Sequence, residues 1–122
     1  MARRFPTSPE CIDLLFEHGL NANIADTFGT TWFHFIVERD YLEVAQRFVA
    51  EAVDINAVDP LSRETPLAIA ARRSNLDMAR FLLEAGANPN LPINRWARPA
   101  AYAVAADDTD MMALLRAYGA DD

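Results

Sequence analysis

A spacing of 33 or 34 residues runs through this chain of 122 residues, and it constrains the fold more than any single motif. Leu15, Phe48, Leu82 and Leu115 recur at intervals of 33, 34 and 33. Gly19, Ala52, Gly86 and Gly119 keep the same intervals, and Asn23, Asn56 and Asn90 follow at 33 and 34. The tetrads Thr31-Trp32-Phe33-His34, Thr65-Pro66-Leu67-Ala68 and Arg98-Pro99-Ala100-Ala101 stand 34 and 33 apart. Self-similarity at such a period marks a stack of small units, each unable to bury its apolar face without a neighbour. The one slip in phase corresponds to a single inserted residue between Asn56 and Thr65.

The stretch from Glu64 to Asn90 shows what one unit contains. Thr65 is an N-cap and Pro66 the first residue of a helix running to Arg73, since proline lacks only an N–H that the first turn does not use. A second helix runs from Leu76 to Ala85, with Met78, Ala79, Phe81, Leu82 and Leu83 on one face at helical spacing. Gly86 supplies a left-handed C-cap, and Asn88-Pro89-Asn90 is turn chemistry. Both helices are too short to hold alone in water.

A T-P-L-x-x-A helix start, an L-L-x-x-G-A-x-x-N helix end and a period near 33 together resemble the ankyrin repeat. The resemblance covers the chain from about Ser8 to Asp122. It implies a mostly α solenoid of stacked helix-turn-helix units joined by β-hairpin-like fingers. The expected layout is one domain over 1–122, with an N-terminal half-repeat over 8–23 and full repeats over 24–56, 57–90 and 91–122. About seven helices and three fingers follow. It also implies a module that binds another protein, as an adaptor or as an inhibitor or immunity-type binder.

Along the chain, Met1 to Thr7 reads as irregular, and Ser8-Pro9-Glu10 as a helix start. Cys11, Ile12, Leu14, Leu15 and Phe16 give a second-helix pattern whose first helix is missing. This half-repeat is either a cap, with Phe5 and Pro6 over the open end, or an exposed end of something longer. Trp32 replaces the family's proline and is expected to be partly buried. Ala52 replaces glycine, which costs about 1 kcal/mol if its backbone is left-handed. Arg63 also stands where a finger glycine belongs, so the second finger is expected to turn differently. Trp96 takes the same place in the third finger.

Composition limits the chemistry. The net charge of −7 repels phosphate backbones, so nucleic acid is not the expected ligand. It suits a basic surface on a protein partner, and it serves solubility first. A lone Cys11 excludes an internal disulfide and fits a reducing, cytoplasmic setting. No run approaches membrane-spanning length. His18 and His34 fall at non-equivalent positions and no metal-ligand spacing occurs, so no metal or cofactor is expected. His34 is expected, from the resemblance, to bond near the Thr31 cap and the next finger. His18 suits a helix C-terminus. Cys11, on a face with Leu14 and Leu15, reads as a small core residue rather than a nucleophile. Asp107, Asp108 and Asp110 read as a turn and an N-cap. The chain is not expected to be an enzyme.

The resemblance places binding on the concave side, at finger tips and the exposed positions of first helices. Carried over by residue, that surface comprises Thr27, Phe28, Thr30, Glu38 and Arg39, then Leu61, Ser62, Glu64, Arg72 and Arg73. Asn94, Arg95, Trp96 and Ala97 follow, beside Ala105 and Ala106, where the groove is shallow. Phe35, Ile69 and Tyr102 share one register position and are expected to form a ridge. Leu61 and Ile93 read as packing finger against finger, Trp96 with Arg95 as binding, and Phe28 as either. Arg39, Arg72 and Arg73 form a basic patch that faces a partner's acids or the stack's own Glu38 and Glu64. A monomer is expected, with self-association through the half-repeat end as the alternative.

Overall fold

A computed structural model describes residues 9–92 and 94–121, and the side chain of Pro9 is not among the features described. The expectations for Met1–Thr7, Ser8, Phe5, Pro6, Ile93 and Asp122 therefore lie outside the described residues. Among the described residues seven α-helices follow one another: α1 (Pro9–Glu17), α2 (Trp32–Glu38), α3 (Leu42–Ala50), α4 (Pro66–Arg72), α5 (Leu76–Glu84), α6 (Pro99–Ala105) and α7 (Thr109–Ala117). A 3-10 turn, Arg95–Ala97, precedes α6. No described helix is long and apolar enough to cross a membrane.

The helices form two layers. α2, α4 and α6 pack side by side as the inner layer, and each packs on its own partner, α3, α5 or α7. Among the described residues α1 is paired with no inner helix, and it rests chiefly on α3. Helices of 7 or 9 residues depend on this stacking, since one so short does not pay its own nucleation cost. The core is a continuous strip in which Phe33, Ile36, Phe48, Leu67, Met78, Leu82, Met111 and Leu115 are fully buried.

Local chemistry sets the ends. The Thr31 and Thr65 hydroxyls accept from the N–H of His34 and Ala68, and Pro66 and Pro99 stand in the first turns of α4 and α6. Asp108 caps α7 by accepting from Met111 N–H, as the reading of the acidic cluster required. Each long helix closes with one bond from two residues past its cap to a recurring carbonyl. Leu20, Ala87 and Ala120 N–H donate to Leu15, Leu82 and Leu115 at 2.9, 2.9 and 3.0 Å. This is the Schellman closure that a left-handed residue allows. Ala52 adopts φ 61° in the place of glycine, and its closure, Val53 N–H to Phe48, is longer at 3.3 Å.

The recurring asparagines have a physical role. Asn23 Oδ1 accepts from Asp54 N–H at 2.7 Å, Asn56 Oδ1 from Asn88 N–H at 2.8 Å, and Asn90 Oδ1 from Asp121 N–H at 2.7 Å. Each ties one unit to the next. At the N-terminal end, Arg47 of α3 bonds Asp13 of α1 and Glu51 and lies 5.0 Å over the Phe16 ring, which meets Phe48 edge-on.

Two expectations need correction and one is refined. Cys11 is exposed, as are Leu14 (56%) and Leu15 (36%), so this face of α1 is not core. Helical spacing identified the face correctly, but among the described residues no inner helix covers it as one does in the other repeats. Arg63 adopts φ 66° in the place of the first finger's Gly29, but the second finger does turn differently, as expected: it closes from Arg63 N–H to Asp59, one residue longer than the Gly29 N–H to Asp26 closure of the first. The third finger departs further from the hairpin form. It forms the 3-10 turn, whereas among the described residues the only antiparallel bridge, Ala25 with Thr31, lies in the first finger.

Candidate functional site

The first two fingers are built on equivalent aspartates. Asp26 Oδ1 accepts from Phe28 and Thr30 N–H, and Asp59 Oδ2 accepts from Ser62 N–H. Asp59 Oδ1 also accepts the Thr30 hydroxyl, which locks the second finger to the first. Burial raises the Asp59 pKa, but the bonds from Thr30 and Ser62 outweigh it and leave the carboxyl below its usual value. A side chain on Gly29 would meet Pro60 at 3.0 Å, so these two tips touch. The third finger has Pro92 in place of the aspartate and Trp96 in place of the glycine, which accounts for its 3-10 turn.

His34 closes the joint below the tips. It is buried, with Nε2 3.1 Å from both the Ala57 and Glu64 carbonyls and Nδ1 2.6 Å from the Thr31 hydroxyl. Carbonyls only accept, so Nε2 carries the proton and the Thr31 hydroxyl donates to Nδ1. Burial holds His34 below its ordinary pKa, opposed but not overcome by the bond to Glu64 and the Asp59 charge. His18 bonds the Leu14 carbonyl at 2.8 Å at the end of α1.

Along the inner helices the charges pair with one another. Arg72 bonds Glu38 at 2.5 Å and Glu64 at 2.7 Å, and Arg73 reaches Glu38 at 3.3 Å. The bond to Glu64 comes first in holding the Arg72 guanidinium above its ordinary pKa. Burial, then a hydrogen bond to Glu64, pushes the Tyr102 hydroxyl up to about 12. Three repeats thus meet in one line: Glu38, Arg72 with Glu64, and Tyr102.

The groove between the first two fingers brings Thr30, Phe35, Glu38, Ser62, Glu64 and Arg72 together with His34, Asp59 and Ile69. Glu64, however, is only 5% exposed. Arg72 and Tyr102 consume its carboxylate, so it supports the surface from beneath. The expected ridge is interrupted, because Phe35 is exposed, Ile69 is buried and Tyr102 is half-buried. Leu61 does not pack on its neighbour. It is 70% exposed, like Phe28 at 69% and Trp96 at 63%. Thr27, Arg39 and Arg95 are also exposed, and Trp32 is half-buried as expected. Sequence reasoning missed Asp59, whose position 33 residues after Asp26 was the available signal.

A model of ankyrin repeats, in three copies, matches residues 1–93 and 37–122. The chain belongs to the ankyrin-repeat family. Ankyrin repeats are protein–protein interaction modules, and the family is in general non-catalytic. The chain is similar to a putative ankyrin repeat-containing protein of Treponema pallidum, 27% identical over 92% of this chain and 38% of that protein. It is similar to the NF-kappa-B inhibitor cactus of Drosophila melanogaster, 32% identical over 76% of this chain and 19% of that protein. It is also similar to an intracellular phospholipase A2 of Caenorhabditis elegans, 31% identical over 85% of this chain but 10% of that protein. The chain therefore spans well under half the length of each of these relatives.

Proposed function

We propose that this ankyrin stack binds one protein partner across its finger tips and inner-helix surface, without catalysis, and blocks or scaffolds that partner. The observation that carries the reading is the row of exposed apolar tips, Phe28, Leu61 and Trp96, one on each successive finger. Finger tips are ordinarily small and polar, and large exposed apolar groups beside arginine mark binding hot spots. Arg95 is next to Trp96 in the chain, and Arg39 and Arg73 close α2 and α4 at the ends away from the fingers. The likeness to a protein named as an inhibitor favours blocking over scaffolding. A cytoplasmic monomer that binds no nucleic acid completes the reading.

The test uses the chain as bait in extract of its host, and then measures the captured protein's affinity. Trp96→Ala is expected to weaken binding by at least about 2 kcal/mol with the melting temperature nearly unchanged. A loss of stability with affinity intact would make Trp96 a local staple and remove it from the site. Full binding by a Phe28→Ala, Leu61→Ala, Trp96→Ala triple variant would overturn the reading. Exposed Leu14 and Leu15 favour one alternative, self-association through α1. A mass that rises with concentration would identify it.

A further inference from the structure

We infer, on the reading that the finger tips bind a protein, that the partner segment lying on them is acidic. Arg63 and Arg95 take its carboxylates, and its apolar side chains lie against Leu61 and Trp96.

The sequence carries 18 acidic residues against 11 basic ones, so a surface arginine has carboxylates in excess to meet. Four arginines on or beside the helices do so. Arg47 bonds Asp13 and Glu51, Arg72 and Arg73 reach Glu38, and Arg80 lies 3.9 Å from Asp77. Arg39, on the edge away from the fingers, does not. The finger arginines are different. Arg63 and Arg95 are exposed and, among the described residues, pair with no carboxylate. Arg98 turns its Nε to the Pro92 carbonyl.

The acids of the fingers are turned inward or tied down. Asp59 and Glu64 are buried, the first held by Thr30 and Ser62 and the second by Arg72. Asp26 accepts two backbone N–H groups. The exposed Asp54 and Asp121 lie at the finger roots, where their own N–H groups meet Asn23 and Asn90. The tips of the second and third fingers are therefore positive, in a chain whose net charge is −7. Each unpaired arginine also stands within two residues of an exposed apolar side chain, Arg63 after Leu61 and Arg95 before Trp96. A charge kept for solubility needs no such neighbour. The second finger has a finger on either side, so the exposure of Leu61 and Arg63 owes nothing to where the chain begins or ends. A guanidinium is weakly hydrated and forks onto a carboxylate, so a segment that mixes carboxylates with large apolar side chains matches both parts of the strip.

The probe is a short blocked peptide in which glutamate alternates with leucine, set against one with lysine in place of each glutamate and against vesicles of phosphatidylserine. Amide NMR shifts on the labelled chain give the site, and peptide anisotropy gives the affinity. The acidic peptide is expected to shift Leu61, Arg63, Arg95 and Trp96, and the lysine peptide to leave them unmoved. Arg63→Glu and Arg95→Glu should each weaken the acidic peptide about ten-fold with the melting temperature retained. No response to the acidic peptide, equal binding of both peptides, or indifference to both substitutions would overturn the inference. So would attachment to the vesicles in preference to the acidic peptide, which would make a lipid surface the occupant. The captured host protein separates this inference from the reading beneath it. Loss of capture in the Phe28, Leu61 and Trp96 triple variant, with full capture by an Arg63→Glu, Arg95→Glu double variant, would sink the acidic partner and leave the finger-tip reading standing. Full capture by the triple variant would remove both.

Discussion

Ala52 shows how much one backbone angle matters in a repeat. Gly19, Gly86 and Gly119 close the other long helices with left-handed φ, and Ala52 does so at 61° with a Cβ in the way. A glycine there relieves the clash, and the longer closing bond at Phe48 can shorten. Ala52→Gly is therefore expected to stabilise the protein by about 0.5–1 kcal/mol, read as a raised melting temperature. An unchanged or lowered value would mean that unfolded-chain entropy outweighs the strain. The sequence made Ala52 legible because three glycines frame it. Arg63 was less legible, because only Gly29 frames it and Trp96 holds the corresponding place in the third finger. Cys11 and Leu14 failed for another reason. Helical spacing reveals a face, and only the neighbour decides whether that face is covered.

At the scale of elements, the joint between the first two full repeats depends on a neutral histidine. His34 ties α2 to the second finger, and burial holds its folded pKa below the ordinary 6.5. A depressed histidine contributes stability that is complete above the unfolded pKa and is lost as pH falls through the lower folded value. The melting temperature is expected to fall as pH drops below about 6.5, and His34→Ala should flatten that slope while lowering stability throughout. A slope that survives in the variant would assign it to other groups. Asp59, also depressed, acts in the same direction only below about 3.8. The helices themselves were legible from caps and spacing to within one residue at their ends. The finger joints were not, because Asn23, Asn56 and Asn90 bond to backbone N–H groups one repeat away, and those leave no trace in residue type.

For the whole molecule, stability is a sum over repeats and the contacts between neighbours. Leu82 is fully buried in the central full repeat. Leu82→Ala is expected to cost about 2–5 kcal/mol, and protection from hydrogen exchange should fall in α3 and α7 as well as in α5. Loss confined to α5 would show that the repeats melt independently. The same linear arrangement has a mechanical consequence. The three asparagine bonds lie one after another along the stack, so a pull on its two ends loads them as springs in series. The spring with the least packing behind it yields first. Among the described residues that is the joint at Asn23, where no inner helix packs on α1. A tug from that end would peel off α1 at low force and leave the other repeats seated, so the chain would behave less as a rod than as a strap with one releasable end.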